Sequence, residues 1–255
     1  MFIDKNNNIT INKIVSLVPS LTELLFDLGL ENKIKGITSF CISPADKVKN
    51  VNKIGGTKNI DINKIHKINP DLIIASKEEN VKEQIEELSK KYNIYLTDIN
   101  TFDQAILEIK NIGEITKTEE TAKKITAEII TNFNNLQLSL NNKTFAFFIW
   151  NNPLMVVGKN TFINDIMLKI DGKNIYDFKT ERYPQTTIKE IEKLNPDIIF
   201  LSTEPYKFTE KHKQLFKNLK STKIFIVECE YFAWYGSRLI KTPEYINNLL
   251  ASYNL

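Results

Sequence analysis

The chain has 255 residues, of which 42% are hydrophobic and 25% charged, with a formal net charge of +3. These are the values of a globular protein long enough for two lobes, each able to bury its own core. Lysines interleaved with Glu and Asp exclude a basic nucleic-acid footprint, and no window approaches ~18 consecutive apolar residues, which excludes a membrane span.

In chain order, the N-terminus MFIDKNNNITINKIVSLVPS has no basic segment leading into a long apolar stretch and a small-residue cleavage site. Eight irregular residues precede the first strand, so the expectation is a cytoplasmic protein, or a periplasmic or lipid-anchored one if an export signal has been removed. Residues 13–18 (KIVSLV) read as a short strand. The helix LTELLFDLGL follows, with Leu21, Leu24, Leu25 and Leu28 on one face. Ser20 is expected as its N-cap, with Glu23 three residues on as a capping-box partner, and Gly29 ends it. Residues 34–38 form the next strand, 53–58 (KIGGTK) a tight turn, 61–68 a helix, 71–75 a strand, 81–91 a helix and 93–97 a strand. This alternation predicts a parallel sheet covered on both faces.

The stretch INKIHKINPDLIIASKE, residues 62–78, returns as IKEIEKLNPDIIFLSTE, residues 188–204, at a constant offset of 126. A short helix, an Asn-Pro-Asp break and a buried strand are thus written twice, the mark of two similar lobes. Between them, residues 102–140 carry no strand signal. Gly113 weakly breaks a first helix, and residues 118–140, with Ala122, Ile125, Ile129, Phe133 and Leu136 at helical intervals, predict a helix ~35 Å long. Strands resume at 144–150, 155–157, 198–202 and 223–227, with helices near 161–170, 209–219 and 242–253. The expected fold is α/β, with two similar lobes of mainly parallel sheets flanked by helices and joined by one long backbone helix, and with a ligand cleft between the lobes. The boundaries are 1–100 for the N-terminal lobe, 101–141 for the connecting helical segment and 142–255 for the C-terminal lobe.

Glu78 and Glu204 hold equivalent places just past a strand, where they would hold a cationic or metal-bearing ligand or cap the following helix. In the loop Phe40-Cys41-Ile42-Ser43-Pro44, Cys41 is a soft metal ligand or a small buried apolar residue. Of the two histidines, His66 reads as a surface residue. His212 would be an axial ligand to a corrin or haem metal, or an exposed residue of a basic helix. Cys41 and Cys229 are too few for a disulfide framework and are expected as thiols in a reducing compartment. No zinc-protease, serine-hydrolase, P-loop or dinucleotide fingerprint is present. Trp150, Tyr183, Tyr206, Phe208, Phe232, Trp234 and Tyr235 fall in loops after strands, where flat apolar walls suit a large conjugated ligand. Lys58, Arg182 and Arg238 would pair with its carboxylates or phosphate. Ser20 and Phe40 complete the expected ligand contacts.

The motifs SLVPSLTELLFDLG, GGTKN, KINPDLIIASKEEN, WNNPLMVVGKNTFINDIM, RYPQ, LSTEPYKFTEKH and YFAWYGSR, in this order, resemble the helical-backbone metal-receptor family, in its cobalamin-binding-like branch. The family comprises substrate-binding proteins of ABC importers for cobalamin, haem and iron–siderophore complexes. The resemblance implies a non-catalytic receptor that encloses a metal-bearing macrocycle or chelate, a corrinoid first and haem or an iron–siderophore next. It implies no intrinsic cofactor, a monomer, and an ABC permease as partner. Where exported members carry an acidic docking residue in the repeat helix, this chain has Asn63 and Lys189, and only Glu190 lies near enough to substitute. A second reading is a cytoplasmic tetrapyrrole or metal carrier, or a chelatase-like enzyme, on the same scaffold.

Overall fold

The computed structural model describes residues 1–4 and 9–252; the irregular start expected across residues 5–8, and the end of the last helix at 253, lie outside the described residues. The chain divides into two compact units. The first comprises Met1–Ile99, Asp103–Thr131 and Tyr235–Ile240; the second comprises Asn100–Phe102, Asn132–Trp234 and Lys241–Leu255.

The first unit is built on a five-stranded, wholly parallel sheet. Its elements in chain order are β1 (Ile14–Ser16), α1 (Pro19–Asp27), β2 (Ile34–Ile37), β3 (Asn52–Lys53), α2 (Ile62–Ile68), β4 (Leu72–Ser76), α3 (Lys82–Ser89) and β5 (Ile94–Thr97). The strand order is β3-β2-β1-β4-β5. All five residues of β4 are buried, as a strand covered by helices on both faces must be. Ile65 of α2 and Ile85 and Leu88 of α3 pack on Val15, Ile73 and Ile94 to make one core.

Two helices of this connecting region follow, α4 (Phe102–Thr116) and α5 (Glu119–Asn134). The single rod expected over 118–140 is therefore shorter, 16 residues or ~24 Å, and it stops before Leu136. Gly113 does not break α4, which runs through it. A Cβ there would lie 2.5 Å from the Cβ of Ala122 on α5, so this glycine permits close approach of two helices. The chain turns instead at Lys117, whose φ is +59°.

The second unit carries β6 (Thr144–Trp150), β7 (Met155–Val156), α6 (Phe162–Lys169), β8 (Lys173–Asn174), α7 (Ile188–Leu194), β9 (Ile198–Ser202), β10 (Lys223–Val227), α8 (Glu230–Ala233) and α9 (Thr242–Ser252). Its sheet order is β10-β9-β6-β7, with β8 also on β6. Only the β6–β7 pairing is antiparallel among these. Phenylalanines fill the interior: Phe147 stacks on Phe200 at 5.8 Å and meets Phe232 edge-on at 5.5 Å.

The repeated segment has the same physics in each unit. Asp61 and Thr187 cap α2 and α7 by accepting from the N–H of Lys64 and Glu190. Asn69 and Asn195 end those helices in the left-handed region at φ +51° and +42°, a conformation asparagine tolerates better than most residues. Asp71 then accepts from the N–H groups of Asn12 and Lys13, which lead into β1. Asp197 does the same for the N–H and hydroxyl of Thr144, which opens β6. Each Asn-Pro-Asp thus ends a helix and fastens the neighbouring strand.

Candidate functional site

In open parallel sheets ligands gather beyond the carboxyl ends of the strands, where the strand order reverses. In the first unit that place is between β1 and β4, and the chain itself fills it. Asn80 accepts from the Ser76 N–H at 2.9 Å and donates to the carbonyls of Leu17 and Thr57, both at 3.1 Å. Tyr235 donates to the Ser76 hydroxyl at 2.9 Å and to Glu79 at 3.2 Å. Burial, and then the Glu79 charge, push the Tyr235 phenol well above its usual range, so it remains a neutral donor. Asn80 is a site residue that sequence reasoning missed; its only signal is an amide two residues past a buried strand's Ser-Lys-Glu.

Arg238 is not free to pair with a ligand. Its guanidinium grips Glu23 through Nε and Nη2 at 3.0 and 2.7 Å, and Nη2 reaches Ser43 Oγ at 3.1 Å. Glu23 therefore serves as an ion-pair partner rather than as half of a capping box. Val18 is the N-cap of α1 and makes no side-chain cap bond. Ser20 lies inside the first turn, buried, with no hydrogen-bond partner for its hydroxyl among the described residues. Cys41 is buried too, its sulfur 3.1 Å from Thr22 Oγ1 and 3.2 Å from Thr38 Oγ1, and burial raises its pKa. That is a packed thiol, not a thiolate presented to a metal.

What the first unit leaves at this edge is Phe40, 61% exposed, with its ring against Gly56, where a Cβ would come within 3.1 Å. Lys58 lies near it in sequence and donates to the Glu78 carbonyl at 2.9 Å. Glu78 is half-buried, and α3 begins only at Lys82 with Val81 as its N-cap, so Glu78 caps no helix.

In the second unit, β6 ends at Trp150, 40% exposed and edge-on to Tyr206 at a centroid distance of 5.9 Å. Asn151 donates to the Tyr206 hydroxyl at 3.2 Å. Tyr183 is half-buried under the Arg182 guanidinium, 5.9 Å from its ring centroid. Glu204 is exposed, and its carbonyl accepts from Ser202 Oγ.

His212 is engaged by neighbouring groups of its own unit. Its Nδ1 accepts from the Thr209 N–H at 2.9 Å, closing a capping box, and Nε2 lies 3.0 Å from the Tyr206 hydroxyl. Both ring nitrogens have hydrogen-bond partners, which a metal would have to displace. Thr-x-x-His at the start of a polar stretch was the sequence signal for this cap. His66 pairs its Nδ1 with Tyr92 at 2.9 Å. Four of the seven loop aromatics, Phe208, Phe232, Trp234 and Tyr235, are buried. Phe232 sits on α8, a helix the sequence did not suggest, and packs into the phenylalanine core. Cys229 is a buried free thiol, its pKa pushed up to about 12 by burial and the Glu204 charge. Among the described residues no three His, Cys, Asp or Glu side chains gather as a metal site.

Of the docking positions, Asn63 and Lys189 are exposed. Glu190 is engaged by Lys179 at 3.1 Å and by Thr186, which leaves it a poor substitute for an exposed acidic residue. Each unit thus presents an aromatic edge with polar flanks, and no nucleophile–base pair stands at either edge among the described residues.

Comparison with known proteins agrees with a binding role. The chain is 29% identical over 94% of its length, and 81% of the relative's, to the Bacillus subtilis protein named an uncharacterized ABC transporter substrate-binding lipoprotein, YvrC. It is 25% identical to the vitamin B12-binding protein of Photorhabdus laumondii, covering 91% of this chain and 85% of that one. The apo structure of the periplasmic heme-binding protein RhuT from Roseiflexus superposes with a TM-score of 0.81 at 17% identity, covering 96% and 98% of the two chains. The lipoprotein relative overturns the expectation of a cytoplasmic protein and points to an extracytoplasmic location. Such proteins carry a solute rather than an intrinsic cofactor. The sequence pattern of the periplasmic binding protein family matches residues 14–225, and the chain belongs to that family of non-enzymatic solute-binding proteins.

Proposed function

We propose that this substrate-binding protein carries a corrinoid, cobalamin or a close analogue, for an ABC permease. The observation that carries the reading is the Trp150–Tyr206 pair, two rings packed edge-on with a polar tip at the carboxyl end of β6, Trp150 being partly exposed. An exposed indole face beside polar groups suits a conjugated macrocycle with amide-bearing edges. On the first unit, Phe40, Lys58 and Glu78 are the contacts in this reading; on the second they are Trp150, Tyr183, Arg182, Tyr206 and Glu204. The commitment of both His212 nitrogens favours a ligand whose metal brings its own axial groups, as cobalamin does, over haem seeking a protein ligand. The vitamin B12-binding relative from Photorhabdus supports the same class.

The test is a melting and absorption series with cobalamin, cobinamide and haemin. A ligand that binds only the folded chain stabilises it by RT ln(1 + L/Kd) at free ligand concentration L, so the melting temperature rises with the logarithm of that concentration above Kd. Cobalamin is expected to raise it and to be released chemically unchanged. If no tetrapyrrole or siderophore complex shifts the melt, the ligand class is wrong.

A further inference from the structure

A second feature of the first unit lies away from the aromatic edge. Lys13, Lys35, Asn52, Lys53, Lys64, Lys67 and Ile68 line a concave surface of about 780 Å³. The residues come from the start of β1, from β2 and β3, and from α2. Asn52 donates to the Lys35 carbonyl at 3.0 Å and fixes the rim. The ammonium groups of Lys13, Lys35, Lys53 and Lys64 rest on backbone carbonyls of Ile68, Asn32, Cys41 and Lys53. Among the described residues only Lys64 of the five has a carboxylate within reach, Asp61 at 3.8 Å. Five lysines and no carboxylate line the concavity, which is therefore locally basic.

Lysines beside an edge strand also deter unwanted strand addition. That accounts for Lys35 and Lys53, but not for Lys64 and Lys67 on the helix. The charges are separated around a rim and supplied by lysine, a point charge on a flexible stem rather than a planar fork. They suit several carboxylates spaced along a chain better than one phosphate gripped by converging donors. The concavity, with Ile68 as the one apolar residue of its lining, also suits a protruding segment better than a flat bilayer. We infer that this lysine-rimmed concavity docks an acidic segment of a partner protein. Complementary charge at such a surface speeds encounter and selects the partner, and it weakens with salt.

The probe is hexaglutamate, titrated calorimetrically into the full chain at low ionic strength, with hexaglutamine as control. Saturable one-to-one binding is expected for hexaglutamate alone, weakened by salt and at least tenfold weaker in a K35E/K64E/K67E variant. A K35Q/K64Q/K67Q variant, which neutralises without reversing charge, is expected to fall between, and both should keep the wild-type melting temperature. Absence of hexaglutamate binding, or binding unaffected by these substitutions, overturns the proposal. Tenfold tighter binding of a polyphosphate of equal charge also overturns it, since the surface would then serve a phosphate polymer.

Discussion

Arg238 holds Glu23 through two parallel hydrogen bonds across 215 residues of sequence, in a pair whose side chains are only 10% and 9% exposed. Ser43 donates to the same carboxylate at 2.8 Å. With Tyr235 on Ser76, the pair fastens the segment Tyr235–Ile240 to the first unit, with which it is grouped. Removing one partner of a buried pair strands the other charge, which costs about 3–5 kcal/mol. Arg238→Ala is expected to lower the unfolding free energy by that amount, read as a lower urea midpoint at unchanged m. Glu23→Gln with Arg238→Met is expected to recover a large part of it, since no charge is then left buried. Equal stability of Arg238→Ala and wild type would show that the pair contributes nothing.

Gly113→Ala sets helix propensity against packing. Alanine is favoured over glycine in a helix by about 1 kcal/mol, yet its methyl would meet Ala122 at 2.5 Å. Overpacking of this kind costs about 1–3 kcal/mol, so the variant is expected to melt below wild type. Ala122→Gly in the same chain should return the melting temperature to the wild-type value or above it.

Asp197 has its pKa lowered by the hydrogen bonds from the Thr144 hydroxyl and N–H. A carboxyl depressed on folding stabilises fully above its unfolded pKa, and that stabilisation is lost as pH falls through the lower folded value. Melting temperature should therefore drop along an acid limb below about pH 4. Asp197→Asn is expected to be less stable at neutral pH and to show a shallower acid limb, converging with wild type at the lowest pH. Parallel curves would place the acid sensitivity elsewhere.

His212→Ala removes a cap and the Tyr206 bond, worth about 1 kcal/mol of stability. If the histidine is structural, the visible spectrum of bound cobalamin will be the same in variant and wild type. A changed spectrum would return His212 to the metal.

The repeat carried the fold. Residues 62–78 and 188–204 told of two similar lobes, because an Asn-Pro-Asp break is local chemistry: a left-handed cap, a ring that stops the helix and a carboxylate that ties a strand. The two-residue strands β3 and β8 and the one-turn helix α8 left no such pattern, being too short for any period to register. The candidate site was less legible. Position after a strand does not separate Trp150, which is exposed, from Phe232, which a short helix turns inward. Nor could Arg238 be known as the partner of Glu23, since nothing in sequence spacing links residues so far apart. His212 looked like a ligand because Thr209, the first residue of the helix expected over 209–219, was not read as a cap whose N–H the imidazole would bond.

The most direct measurement uses the two tryptophans. Trp234 is buried and Trp150 is partly exposed at the proposed corrinoid wall, and a bound corrin absorbs where tryptophan emits. Titrating cobalamin into the protein should quench fluorescence saturably with one-to-one stoichiometry. In Trp150→Phe the quenching amplitude should fall, and in Trp150→Ala the affinity should fall at least tenfold. Quenching that never saturates, or a Trp150→Ala variant that binds as tightly as wild type, would contradict the account.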